Sequence, residues 1–166
     1  KQKKTFEFRG KKNEIGGDIC VSHTIQLQGK TFHVFLNGDA MGKSIQGAGG
    51  SLILGSVFQS IIERTLLSPD LSEQSPEVWL KNAFIEMHKV FESFSGSMLV
   101  SIVIGLLDDS NGFIYYINAE HPFSILFRDG KAHYIEDESF FRKLGTLQIN
   151  SSIFIQTFQM LHGDTL

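Results

Sequence analysis

Two aspartates carry the strongest chemical signal in this chain: Asp18, in Ile15-Gly16-Gly17-Asp18-Ile19, and Asp39, in Leu36-Asn37-Gly38-Asp39-Ala40-Met41-Gly42-Lys43. The stretch between them reads as a β-hairpin, so residues far apart in sequence are expected to meet. Gly17 and Gly38 stand beside the two carboxylates and leave room for backbone atoms or water to approach, which suits a hard divalent cation held by oxygen ligands. Local sequence points to metal and phosphate chemistry. A plainer reading stands next to it, in which both aspartates are turn or strand-end residues adjoining glycine.

The elements that must position this pair are legible from periodicity. A strand is expected over 19–27, with Ile19, Val21, His23, Ile25 and Leu27 on one face. The Gln28-Gly29-Lys30 turn leads into a second strand over 31–36. The start of the first strand then lies beside the end of the second, which places Asp18 and Asp39 at one edge of the sheet. A short strand over 5–9 precedes the hairpin. A helix is expected from about Gln46 to Leu67, with Leu54, Val57, Phe58, Ile61 and Ile62 as its apolar stripe and Gln59, Glu63 and Arg64 opposite. A polar loop around Pro69 and Asp70 follows. Ser75-Pro76-Glu77 then supplies an N-cap, a first-position proline and a first-turn acid for a second helix that turns Leu80, Ala83, Phe84, Met87 and Phe91 inward.

Strand periodicity returns over 98–107, 113–118, 124–127, 132–135 and 153–158, with turns at 108–112 and 129–130. Strands, two consecutive long helices after the hairpin's second strand and a further run of strands argue for an α+β fold. The expected architecture is an antiparallel β-sandwich covered by helices, not a parallel doubly wound sheet.

At 166 residues the chain fits a single domain spanning 1–166. Its 15 basic and 18 acidic residues give a net charge of −3, and the basic residues cluster only at Lys1, Lys3, Lys4 and at Arg9, Lys11, Lys12. No nucleic-acid partner is expected. The lone Cys20 excludes an internal disulfide and a cysteine-rich zinc site; within an apolar strand it is expected to be a core thiol in a reducing, cytoplasmic setting. No apolar run approaches the roughly 20 residues that span a bilayer, so no membrane contact by this segment is expected. His23, His33, His88, His133 and His162 form no spaced ligand cluster.

Arg9, Lys11 and Lys12 would steer a phosphoprotein towards the site, or simply solvate an edge strand. Lys43 would attract a substrate phosphate or orient the metal loop, or be a solvated lysine. Gly47-Ala48-Gly49-Gly50 lacks P-loop spacing and reads as close packing or a hinge.

Gly16-Gly17-Asp18, Gly38-Asp39-Ala40-Met41-Gly42-Lys43, the long helix that follows, Asn118-Ala119-Glu120-His121-Pro122, Leu144-Gly145 and Gly163-Asp164-Thr165-Leu166 occur in an order that extends over essentially the whole chain. In this order the chain resembles the bacterial sporulation-stage-II-E and sigma-factor-regulator branch of the metal-dependent PP2C-type serine/threonine phosphatases. The resemblance implies PP2C-like α/β/β/α layers. It implies that Asp18, Asp39 and the carbonyl of Ala40 ligate metal, in a site where two Mn²⁺ or Mg²⁺ ions activate water against a phosphoserine or phosphothreonine. Gly42, Asn118 and His121 then shape the surroundings, with His121 a structural residue in the turn before Pro122.

The same resemblance implies a phosphorylated regulatory protein as substrate, typically an anti-sigma-factor antagonist, with an upstream sensory domain in the parent chain; a homodimer is one possible assembly, for which the sequence carries no mark. The helix after Asp39 is expected to be an element whose movement switches the site. Three departures stand out. Gly42-Lys43-Ser44 replaces the family's Gly-His-Gly or Gly-Lys-Gly; Glu120 replaces a glycine at a position that calls for positive φ; and the family continues beyond the position of Leu166 into a Thr-Asp-Gly motif and another acidic motif that bind metal. The segment is thus expected to lack the family's C-terminal metal-binding motifs and to hold metal weakly by itself. An alternative from another class is a catalytically inactive pseudophosphatase or signalling module that binds a regulatory partner. A plain sensory α+β domain would match the periodicity but not the order of the Gly-Asp motifs.

Overall fold

A computed structural model of the chain describes residues 4–8, 10–42, 45–147 and 153–166. The chain opens with a hairpin of β1 (Lys4–Phe8) and β2 (Lys11–Ile15). Sequence reading misses β2, because Lys11-Lys12-Asn13-Glu14 shows no apolar alternation; its extended form comes from pairing with β1.

The next hairpin joins β3 (Asp18–Leu27) to β4 (Lys30–Ala40). Gln28 and Gly29 form its turn with φ of 50° and 72°, the doubly left-handed geometry that matches the twist of the flanking strands. Lys30 already belongs to β4. That strand also runs past Leu36, where its apolar pattern ends, because it is paired on both edges: with β3, and with β5 (Val100–Asp108) through Ala40. Two ladders carry Asn37, Gly38 and Asp39 as strand despite their weak β propensity.

Three helices follow β4: α1 (Ile45–Leu67), a short α2 (Pro69–Ser72) and α3 (Pro76–Glu92). The expected polar loop at Pro69 and Asp70 is instead this turn of helix. Ser68 precedes it and Pro69 takes a first position where a missing N–H costs nothing. Its Ser72 carbonyl accepts the Gln28 N–H at 2.7 Å, which ties the hairpin turn down. The Ser75 side chain caps α3 by accepting from the Val78 N–H, as its sequence leads one to expect.

The remaining strands are β6 (Phe113–Ala119), β7 (Ile125–Arg128), β8 (Lys131–Tyr134) and β9 (Gln156–Gln159). The main sheet is antiparallel in the order β3-β4-β5-β6-β9, with β7 and β8 as a separate hairpin. Among the described residues no helix is long and apolar enough to cross a membrane.

The helices cover one face of the sheet. Ile25, Leu27, Val34, Leu36, Ile102, Ile104 and Leu106 meet Leu54, Phe58, Ile62, Leu80, Phe84, Met87 and Phe91, all at most 1% exposed; each such side chain contributes about 1.5–3 kcal/mol of burial. Trp79, which the apolar stripe of α3 does not single out, is buried among them. Its indole N–H donates to Thr65 Oγ1 at 2.9 Å, and that hydroxyl donates to the Ile61 carbonyl. The opposite face carries a smaller cluster of Val103, Ile114 and Tyr116 with Phe35, Ile135, Phe158 and Met160.

Cys20 is exposed, not a core thiol. Alternation along β3 puts Cys20 on the outward face with Ser22, Thr24 and Gln26 while Ile25 and Leu27 point in. The apolar neighbours that suggested burial occupy the other face.

Towards the end of the chain, Thr165 pairs with Phe127 of β7 and Asp164 accepts from both Nε and an Nη of Arg128 as well as from the Leu161 N–H. These donors, the Arg128 side chain foremost, hold the Asp164 carboxyl down to about 2. A depressed carboxylate contributes stability that is complete above about pH 5, where an unfolded-chain aspartate is almost fully ionised, and is lost as pH falls through 4 towards 2. Asp164→Asn is therefore expected to flatten the fall in melting temperature between pH 4 and 2, measured by circular dichroism. An unchanged acid profile would show that this ion pair contributes nothing to folding.

Candidate metal and phosphate site

The site is built by register. The two-residue turn sets Leu27 opposite Lys30, and the ladder then runs without a bulge until Asp18 faces Asp39. Directly opposed residues project to the same side, with Cβ atoms roughly 4.5–5.5 Å apart. Two like charges so placed repel, whereas a cation shared between them converts the repulsion into binding.

Ala40, next along β4, is fastened beside the pair. Its N–H donates to the Gly17 carbonyl at 2.8 Å, and the hydroxyl of Ser51, from α1, donates to that same carbonyl. A β-carbon on Gly17 would stand 2.7 Å from the Ala40 oxygen, so only glycine lets the two backbones come this close. Gly17 thus admits backbone, as its sequence suggests. Gly38 does something different: a β-carbon there would strike Leu54 Cδ2 at 2.6 Å, so this glycine admits α1 to the sheet and not water to the carboxylates.

The glycines that open α1 divide in the same way. β-carbons on Gly47 and Gly50 would lie 3.3 Å from the Ala40 oxygen and 2.7 Å from the Ala40 Cβ, whereas one on Gly49 would meet nothing nearer than Met98 Cε at 4.0 Å. Close packing is the role of the first two. Gly42 has φ of +118°, a left-handed value that favours glycine, and marks the chain's departure from β4. Ser51 has no signature of its own in the sequence; it is found only once α1 is seen against Gly17.

The other motifs gather at this end of the sheet. Asp39 pairs with Ser101, Gly38 with Ile102, and Ile102 bridges to Glu120; two strand spacings put Glu120 roughly 10 Å from Gly38. Ala40 pairs with Val100, which exchanges both backbone hydrogen bonds with Leu144 at 3.2 and 2.9 Å. Asn118 is buried, with Oδ1 accepting the His121 N–H at 2.9 Å and Nδ2 donating to Glu136 at 2.8 Å. Asn118 and His121 therefore shape a turn. Gly163-Asp164 is held by β7 instead. Arg9 and Lys43 lie outside the described residues.

Glu120 adopts φ of 51°, so the left-handed conformation persists without glycine. Its carboxylate accepts from Arg142 at 2.7 Å and Lys143 at 2.9 Å, and the hydrogen bond from Lys143, then that from Arg142, holds its pKa below the usual carboxylate range. A non-glycine residue in this region costs roughly 1–2 kcal/mol, which these two ion pairs offset. Glu120→Gln keeps the strain and loses the pairs, whereas Glu120→Gly loses both. Urea unfolding is expected to rank Gly above Gln by about 1 kcal/mol; equal stabilities would show that the backbone is unstrained here.

Among the described residues no group of three or more His, Cys, Asp or Glu side chains converges as a metal cluster. The donors present are nonetheless of the right kind, since a carboxylate pair and a glycine-cleared carbonyl are hard oxygen ligands.

An antiparallel sheet with two long helices on one face matches the fold of PP2C-type phosphatases. The chain belongs to the family described as Stage II sporulation protein E (SpoIIE), whose profile matches residues 30–166. Similar solved structures include the RsbU and RsbW domains of Rv1364c from Mycobacterium tuberculosis, at 21% identity and a TM-score of 0.62. The PP2C phosphatase domain of SpoIIE from Bacillus subtilis matches at 11% identity and 0.64. Each alignment covers 90% of this chain, and the chain spans only 37% and 40% of those two structures. The catalytic domain of the serine threonine protein phosphatase PstP, solved with two manganese ions, matches at 12% identity and 0.63, over 98% of this chain and 72% of that one. No curated protein matches the chain in sequence.

Proposed function

We propose that the chain forms most of one PP2C-type phosphatase domain, which removes phosphate from phosphoserine or phosphothreonine on a regulatory protein. The carrying observation is the register that sets Asp18 opposite Asp39 at the glycine-cleared end of the sheet. Asp18, Asp39 and the Ala40 carbonyl would hold Mn²⁺ or Mg²⁺, and further carboxylates in a longer parent chain would complete a two-metal site. When bound, such ions supply Lewis acidity and lower the pKa of water, so that no side-chain nucleophile is needed. The two aspartates hold negative charge at one spot, Gly17 lets the two backbones close up beside the Ala40 oxygen, and Ser51 fixes Gly17 from the helix side. Lys43, and more remotely Arg9, would draw the substrate phosphate.

Family membership and the likeness to RsbU and RsbW domains support a regulatory protein as partner, and the resemblance to the sigma-factor-regulator branch suggests an anti-sigma-factor antagonist. Catalysis is tested by hydrolysis of para-nitrophenyl phosphate in Mn²⁺ by the parent protein. Mn²⁺-dependent turnover is expected, and a folded protein that gives none but retains its regulatory partner would establish the pseudophosphatase reading instead. Calorimetry on the 166-residue chain is expected to show weak Mn²⁺ binding, because affinity falls as anionic ligands are removed. Tight binding of two ions would show that this segment contains every ligand it needs.

A further inference from the structure

Phe123, Tyr134, Ile135, Glu136 and Asp137 line a recess of about 690 Å³ beside the β7–β8 hairpin. Glu136 is 6% exposed. Its Oε1 accepts from Asn118 Nδ2 at 2.8 Å and from the Ser124 N–H at 2.9 Å, while its buried Oε2 has no hydrogen-bond partner among the described residues. Neither Glu136 nor Asp137 has an ion-pair partner among them. A half-satisfied buried carboxylate is costly and throws its field into the adjoining space. The Tyr116 phenol registers that field: burial first, then the charges of Glu136 and Asp137, push its pKa up to about 12.

The walls around this charge are apolar. Phe123 and Tyr134 meet edge to face with ring centroids 6.0 Å apart. Ile125 lies directly across the hairpin from Tyr134, and Phe127 continues the same face two residues on. These three side chains are 51%, 68% and 50% exposed, an apolar patch bordering an acidic recess.

We propose that the recess and the outer face of β7–β8 dock a segment of a partner protein that presents an arginine or lysine side chain flanked by apolar residues. The aromatic faces of Phe123 and Tyr134 receive the cation, the exposed Asp137 carboxylate accepts its hydrogen bond, and the uncompensated Glu136 charge favours it from behind. A bare metal ion is the poorer fit, because it needs several converging oxygens and three of the five lining residues offer hydrocarbon or aromatic surface. The residues that line it are not those of the aspartate pair, and the proposal stands whether or not the protein is a phosphatase.

The test is a nuclear magnetic resonance titration of the isotope-labelled chain with N-acetyl-arginine amide and with its uncharged analogue N-acetyl-citrulline amide. The arginine compound is expected to shift the Ser124 and Asp137 amides saturably, with an affinity about tenfold above that of the citrulline compound, as a charge-assisted hydrogen bond supports. Asp137→Asn and Tyr134→Ala alter exposed side chains, so their spectra should report an intact fold, and each is expected to weaken arginine binding at least about threefold. Equal affinity for citrulline, absence of any shift at the recess, or undiminished binding by both folded variants would overturn the proposal.

Discussion

Asp39→Asn is expected to lower Mn²⁺-dependent phosphate ester hydrolysis by at least about 100-fold in the parent protein, since even an outer-sphere partner of a metal ligand is worth 10- to 100-fold. The substitution is nearly isosteric, so the strand pairing that sets Asp39 opposite Asp18 and Ser101 remains available to asparagine. What it removes is half of the negative charge of the aspartate pair. Stability should change by no more than about 1 kcal/mol, the scale of a cross-strand pair. Asp18→Asn, the other half of the same pair, should behave alike, and the double variant should be little worse than either single one, as expected for residues that act as a unit. Rates measured against Mn²⁺ concentration, with melting curves as a control for folding, provide the check. Equal rates for parent and Asp39→Asn would remove the metal mechanism altogether.

The second large effect is expected at the start of α1. A β-carbon on Gly50 would fall 2.7 Å from Ala40 Cβ, so Gly50→Ala must displace either the helix or the strand end that bears the Ala40 carbonyl, the proposed ligand. Overpacking of this kind costs about 1–3 kcal/mol, partly offset by the roughly 1 kcal/mol that alanine gains over glycine within a helix. Net destabilisation should thus be small, while activity falls by at least about tenfold, because displacement of about 1 Å can cost a hundredfold in rate. Gly49→Ala is the matched control. Nothing crowds that position, so it should stabilise the protein by about 0.5–1 kcal/mol and leave turnover unchanged. Urea midpoints and hydrolysis rates on the pair separate the outcomes: a folded Gly50→Ala protein with full activity would show that α1 is not coupled to the site through Ala40.

Such coupling has a physical basis beyond one contact. Ser51 holds the Gly17 carbonyl that also receives the Ala40 N–H, and Leu54 fills the space left by Gly38. Three positions spaced along one face of α1 therefore touch the backbone around both aspartates. Any shift of α1 along or away from the sheet would move Ala40 with it.

Some of this was legible in the sequence because it depends on short-range rules. The Ser75-Pro76-Glu77 start of α3 and the apolar stripes of α1 and α3 follow from local capping and helical period, and they reappear in the structure. The meeting of Asp18 and Asp39 at one sheet edge was legible for the same reason, since hairpin geometry fixes which strand ends adjoin; their exact register was not, because the sequence reads the turn as Gln28-Gly29-Lys30 and the structure shortens it to two residues. Cys20 shows where such reasoning fails. Its neighbours in sequence are apolar, but a strand turns successive residues to opposite faces, and only the tertiary structure shows which face of β3 meets the helices and which is exposed at Cys20. The end of β4 failed differently: Asn37, Gly38 and Asp39 are poor strand formers held extended by ladders on both sides.

By itself the sequence determined the α+β class, the hairpin that pairs two aspartates and, through the order of its motifs, the family. These rest on backbone hydrogen bonding and on side-chain periods of two and 3.6 residues, which act over a few positions at a time. Tertiary structure alone decided that Gly17, Gly47 and Gly50 make room around Ala40, that Ser51 and Leu54 link α1 to the site, and that Glu120 keeps its left-handed backbone with the help of Arg142 and Lys143. It also decided that Glu136 and Asp137 meet apolar walls at one recess without an ion-pair partner among the described residues. Each of these arises where segments remote in sequence come within van der Waals or hydrogen-bond distance, and no local rule specifies which segments those will be.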